Sequence, residues 1–159
     1  MRIATWNINS VRIRIGLLKK LAAEALPDIV CLQETKVEDH SFPLEELKAL
    51  GFPHIYFSGQ KSYNGVAILS KIKLEKVSNM TMAGSQDKRH ISAILPGGTA
   101  LHNFYIPAGG DIPDVEQNPS YAFKLRFVEH MTCWSQGLKK NGQKAIILGG
   151  KGSMIKKLG

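Results

Sequence analysis

The stretch Ile29-Val30-Cys31-Leu32-Gln33-Glu34-Thr35-Lys36 constrains the fold most. Four apolar residues run together and give way at once to an amide, a carboxylate, a hydroxyl and an ammonium. A short apolar run of this kind reads as a fully buried strand, although periodicity alone does not separate it from buried helix. The β-branched start and the Pro27-Asp28 break before it favour strand. Glu34 then stands at the C-terminal end of that strand, where open α/β sheets place their ligands. There it serves as a metal ligand, a general base or a surface charge.

The flanking sequence builds on this strand. Ile3 to Ile8 reads as a first strand ending on Asn7-Ile8-Asn9-Ser10. Ser10 can cap a helix whose apolar stripe is Val11, Ile15, Leu18, Leu21, Ala22 and Ala25, stopped by Pro27. Strand, helix and strand within about thirty residues make a βαβ unit with a parallel pair. Asn7 and Glu34 are thereby brought to the same edge of neighbouring strands. Downstream, Ser41–Leu50 reads as a short helix, and Ile55–Phe57 and Val66–Leu69 as strands around a polar loop. Gly65 reads as a turn or a close backbone approach. Ile72–Val77, Ile91–Leu95 and Ala100–Tyr105 form a hairpin-like series. A long helix starts at Asn118-Pro119 with Phe123, Phe127, His130, Met131, Trp134 and Leu138 on one stripe, and Ala145–Leu148 is the last strand.

At 159 residues the chain fits one domain. The formal net charge of +8 suggests an anionic partner, nucleic acid ahead of a membrane surface. Part of it is local. Three of the 21 Lys and Arg residues lie in the last nine positions, which leaves 18 basic against 13 acidic residues, or +5, in residues 1–150. The two cysteines are too few for a disulfide framework and have no CxxC partner, so zinc and thiol redox chemistry are unsupported. Cys31 reads as a small buried hydrophobe. No apolar run approaches the ~20 residues that span a bilayer, and no signal-peptide pattern opens the chain. The expected location is cytoplasmic.

Five ordered segments carry a more specific signal. They are Trp6-Asn7-Ile8-Asn9-Ser10, Leu32-Gln33-Glu34-Thr35-Lys36, Gly59-Gln60-Lys61, Gly65-Val66-Ala67-Ile68-Leu69 and Tyr105-Ile106-Pro107-Ala108-Gly109. Together they resemble the exonuclease III family, Mg²⁺-dependent DNA-repair exonucleases and abasic-site endonucleases of the endonuclease/exonuclease/phosphatase superfamily. The resemblance covers residues 1–149. It implies an α/β fold, half to two-thirds of a four-layer sandwich of the DNase I type, with one sheet largely complete and the second missing or partial. By the same resemblance Glu34 and Asn7 belong to a site for Mg²⁺ (or Mn²⁺), and Tyr105 contacts the scissile phosphate. The partner implied is duplex DNA, at 3′ ends and abasic sites. Lys36, Lys61 and Arg89 stand between two readings, DNA-backbone contacts and solvated charges.

The resemblance stops abruptly at Gly149. The family's Gly-Asp-x-Asn motif would follow the last strand, but this chain has Gly149-Gly150-Lys151-Gly152. Glycine stands at both functional positions, and glycine has no group to take a proton. The family's closing Asp-His pair is also missing, and residues 150–159 read as an unrelated basic tail. A shifted reading frame with an early stop, or decay of a longer gene, would give this pattern, which sequencing past the codon for Gly149 tests. Catalysis is therefore expected to be strongly impaired. Gly150→Asp with Gly152→Asn is expected not to restore it. The alternative reading is a non-catalytic relic that binds DNA weakly and self-associates as a homodimer through an uncovered sheet face.

Overall fold

The computed structural model describes residues 1–151. Its first sheet holds β1 (Ile3–Asn7), β2 (Ile29–Gln33), β3 (His54–Ser58) and β4 (Val66–Ser70), in the order β1-β2-β4-β3. Its second sheet holds β5 (Glu75–Ser78), β6 (His90–Ile94), β7 (Ala100–Ile106) and β8 (Ala145–Lys151), in that order. β1 and β2 run parallel through α1 (Ile15–Glu24), as the spacing predicts. β7 and β8 run parallel through α3 (Pro119–Lys140), the long helix expected from Asn118-Pro119. Asn118 caps it by accepting from the Ser120 and Tyr121 N–H groups.

β2 is buried along its whole length because both of its faces are used. Val30 and Leu32 face outward and pack with Ile8, Val11, Leu18 and Leu47, under α1 and the short helix α2 (Leu44–Lys48). Ile29 and Cys31 face inward with Val66 and Ile68, against Ile91, Ala93 and Leu101 of the second sheet. On the far side of that sheet, Phe104 packs against Phe127 of α3. Helix, sheet, sheet and helix thus form four layers. Burial pushes the Cys31 thiol up to about 12, so it stays a protonated, inert filler.

Two expectations need correction. The second sheet is partial, yet it covers most of the inner face of the first, at Ile29, Cys31, Val66 and Ile68, while Thr5 of β1 stays exposed. The face on which self-association was expected is therefore largely occupied from within the chain. What lies at the margin instead is a pair of terminal strands, β1 and β8, in contact with each other. Ser10 also does not cap a helix. Its N–H donates to Glu34 O at 2.8 Å and that of Val11 to Thr35 O at 3.1 Å, which ties this segment to the loop after β2. A 3-10 turn at Arg12–Arg14 follows, and α1 begins only at Ile15. β8 includes Gly150 and Lys151, the first two residues of the expected tail. The remainder of that tail lies outside the described residues.

A buried polar chain joins the two sheets. Asn103 Nδ2 donates to Leu32 O at 2.9 Å and to Ala67 O at 3.0 Å, both across the core. Its Oδ1 accepts from Gln33 Nε2 at 2.7 Å, and Gln33 Nε2 also reaches Thr5 Oγ1 at 2.9 Å. Breaking such a network leaves dry polar groups short of partners, at roughly 1–3 kcal/mol each. Asn103→Leu is expected to cost about 3 kcal/mol by urea denaturation. An unchanged midpoint would show that the network contributes nothing.

Candidate active site

The parallel pair β1–β2 brings two loops together at its C-terminal edge. Asn7 lies opposite Gln33 in the register, and Ile8 N–H donates to Gln33 O at 3.0 Å, so Glu34 emerges beside the end of β1. The backbone here is left-handed at Asn9 (φ 47°), Ser10 (φ 84°), Glu34 (φ 60°) and Lys36 (φ 53°). Non-glycine residues at such angles cost of order 1 kcal/mol each and persist only where surroundings fix them. Several bonds fix them. Besides the Ser10 and Val11 bonds, Thr35 N–H donates to Gly65 O at 3.2 Å and Lys36 N–H to Asn64 O at 2.9 Å. Gly65 itself has φ +92°, and a Cβ there would overlap Thr35 Oγ1, so close approach as well as turn geometry demands glycine.

The Glu34 carboxylate is largely buried and has two neighbours on the protein. Lys36 Nζ lies 3.1 Å from its Oε1, and the Tyr105 phenol, arriving on β7, lies within reach of its charge. Burial raises the Tyr105 pKa, the Glu34 charge raises it further, and Arg89 opposes both. The phenol therefore stays protonated as a donor at neutral pH. Arg89 covers Tyr105, its guanidinium carbon 4.7 Å from the ring centroid and 5.6 Å from that of Phe123. It pairs with Asp87 at 3.3 Å and donates to Tyr105 O at 3.3 Å. A cleft of about 490 Å³ opens beside this pair, bounded by Pro107, Gly109 and Ser120. Asn7 Oδ1 accepts from Asn9 N–H at 3.2 Å.

The structure therefore gathers Asn7, Glu34, Lys36, Tyr105 and Arg89 around the ends of β1, β2 and β7. Lys61 stands apart, in a smaller depression of about 160 Å³ shared with Arg12, Lys36 and Ser62. Arg12 was not expected there. An arginine in the turn before a helix gives no local signal of a shared surface.

Gly150 sits opposite Tyr105 in the β7–β8 ladder. Gln33 fills the space a side chain would need there. A Cβ at 150 would overlap Gln33 Oε1 and lie 2.9 Å from its Cδ. That Oε1 is buried without a partner, because Nε2 is committed to Thr5 and Asn103. Gly152 lies outside the described residues.

Among the described residues no cluster of three or more His, Cys, Asp or Glu could hold a metal. One carboxylate and one amide oxygen nevertheless suit a hard divalent ion. Mg²⁺ is commonly held by one or two carboxylates and completes its shell with water and phosphate oxygens. The donor types fit Mg²⁺ or Mn²⁺ and do not fit a soft metal.

Residues 4–149 match the endonuclease/exonuclease/phosphatase family. Exodeoxyribonuclease III of Haemophilus influenzae is 35% identical over 114 residues, covering 69% of this chain and 42% of that protein. DNA repair nuclease APEX1 of Danio rerio is 35% identical over 105 residues, covering 60% of this chain and 33% of that protein. Among solved structures, the 3′-5′ exonuclease NExo of Neisseria meningitidis has a TM-score of 0.82 at 32% identity, covering 94% of this chain and 57% of that one. An AP endonuclease of Archaeoglobus fulgidus has a TM-score of 0.78 at 35% identity, covering 94% and 56%. The chain spans less than half the length of these curated relatives and a little over half of these solved structures. No helix of the described residues is long and apolar enough to cross a membrane.

Proposed function

The chain belongs to the endonuclease/exonuclease/phosphatase family, and from that premise we propose that it carries the phosphate-binding part of a cytoplasmic DNA-repair nuclease site, with catalysis strongly impaired. The observation that carries this reading is the approach of the Tyr105 phenol to Glu34 at the adjoining ends of β7 and β2, beneath Arg89. A carboxylate, a neutral phenol and a guanidinium beside an open cleft suit a phosphodiester. Arg89 attracts its charge, and Tyr105 is a preorganised donor for an oxygen that gains charge. Glu34 and Asn7 are the residues that would hold Mg²⁺ or Mn²⁺. A divalent ion bound there supplies Lewis-acid stabilisation of charge on phosphate oxygens. Lys36 and Lys61 extend the positive surface along a duplex backbone.

A proton acceptor is missing at position 150. Position 150, beside Tyr105, bears no side chain. An attacking water finds no carboxylate there to take its proton. The substrates proposed are those that the relatives' names indicate, abasic sites and 3′ ends of duplex DNA.

The test is an abasic-site duplex with and without Mg²⁺, in parallel with binding across a salt series. Salt-dependent binding with little or no cleavage is expected. Lys61→Ala is expected to reduce the slope of log affinity against log salt by about 1. Metal-dependent turnover that Glu34→Ala abolishes would overturn the impairment. Failure to bind duplex at low salt would overturn the nuclease-site reading itself.

A further inference from the structure

We propose that Lys36 is a tethered counter-ion that holds the Glu34 carboxylate and competes with a divalent cation for it. The proposal rests on the preceding reading, in which Glu34 is the anionic ligand. Its own evidence is positional. Lys36 Nζ lies 3.1 Å from Glu34 Oε1 and 2.6 Å from Asn9 Oδ1, so the ammonium has an anionic partner on one side and a neutral acceptor on the other. Neither charged side chain is freely solvated, with 31% of the Lys36 and 14% of the Glu34 side chain exposed.

This is unlike an ordinary surface ion pair, whose two flexible side chains lose entropy to meet and gain little. Here the backbone carries much of that ordering. Glu34 and Lys36 both sit in left-handed conformations, and so does Asn9, the residue that receives the ammonium. The loop bearing them is tied on one side to Ser10 and Val11 and on the other to Asn64 and Gly65. Strain held this firmly is typical of functional segments. The clamp fixes the ammonium at one of the two Glu34 oxygens, with the Tyr105 phenol close enough to feel the same charge.

A divalent ion approaching Glu34 meets this pre-placed positive charge and must displace it or bind against it. The same arrangement neutralises a largely buried carboxylate, which unpaired would carry a desolvation penalty. Lys36 thus keeps the anion tolerable and suppresses adventitious metal binding.

The test is a Mn²⁺ titration of the full chain read by the free-ion electron paramagnetic resonance signal, a readout independent of cleavage. Lys36→Gln is expected to bind Mn²⁺ about tenfold more tightly than the unaltered chain, the scale of repulsion between neighbouring charges at a partly solvated site. Lys36→Arg keeps the charge and is expected to bind like the unaltered chain. Circular dichroism of both variants reports whether the fold is kept. Equal or weaker Mn²⁺ binding by a folded Lys36→Gln, with binding still lost in Glu34→Gln, would overturn the counter-ion role and leave the metal-site reading standing. If no variant binds Mn²⁺ at all, the reading of Glu34 as a ligand fails, and the counter-ion proposal falls with it.

Discussion

Gly150→Asp is expected to destabilise the protein by about 3 kcal/mol and to leave cleavage unrestored. The space at 150 is already filled. A Cβ would overlap Gln33 Oε1 and lie 2.9 Å from Cδ and 3.2 Å from Cγ. Gln33 cannot simply swing aside, because its Nε2 is bonded to Asn103 at 2.7 Å and Thr5 at 2.9 Å within the inter-sheet core. Overpacking of this kind costs roughly 1–3 kcal/mol. The carboxylate would add a second acceptor facing a buried oxygen that already lacks a donor. Adding Gln33→Ala should recover part of the loss if the overlap is its cause. Guanidinium denaturation of the single and double variants, with abasic-site cleavage assayed on both, decides the matter. A single variant as stable as the parent, or one that cleaves, would refute the account. This adds a steric reason to the expected failure of Gly150→Asp with Gly152→Asn.

Acidification below about pH 6.5 is expected to erode stability, by an amount on the order of 4 kcal/mol at full effect, through one buried histidine pair. His90 Nδ1 accepts from Met80 N–H at 2.9 Å, so the proton of its neutral ring is on Nε2. That Nε2–H faces His102 Nδ1 at 3.0 Å, and the neutral pair is satisfied without charge. Phe104 and Trp134 surround both rings. Burial, then the neighbouring His102 charge, lowers the His90 pKa to about 3, and burial lowers that of His102. Unfolded, both titrate near ~6.5. Between those values the unfolded chain binds more protons, so stability is full above ~6.5 and is lost as pH falls toward about 3, at ~1.4 kcal/mol per unit for His90. Urea midpoints between pH 7.5 and 5 isolate the effect, because carboxylates titrate lower. His90→Phe with His102→Leu should flatten that profile. A parent profile already flat there would exclude the mechanism.

What could be read from the sequence was what depends on near neighbours. Apolar Ile29–Leu32 followed by polar Gln33–Lys36 marks a strand end, and the helix-spaced residues before it make the βαβ unit that sets Asn7 beside Glu34. Tyr105 could be placed only through resemblance, because nothing in Ala100–Ile106 alone says that its phenol comes near a carboxylate 71 positions earlier. The Gln33–Asn103 contact spans 70 positions and has no local signature, and neither does the hold of Gln33 over Gly150. Ser10 misled because its side chain suits a cap. Its backbone is left-handed (φ 84°) and not in the extended form a cap adopts, held there as its N–H docks the loop after β2. The sufficiency of the second sheet was also invisible. It depends on how well Ile91, Ala93 and Leu101 cover Ile29 and Cys31, which is a property of packing and not of strand count.

The strand orders have one more consequence. All four strands of the first sheet come from residues 3–70, and all four of the second from residues 75–151. A peptide bond cut between Ser70 and Glu75 would sever no strand pairing. Each piece would own a whole sheet and its outer helices, joined to the other by interleaved apolar side chains, by the Asn103 bonds to Gln33, Leu32 and Ala67, and by the Lys88 bonds to Gln60 and Gly65. The molecule is built like a split protein with its two halves still connected. During synthesis the first sheet can pair completely while its inner face waits, exposed, for the second to emerge.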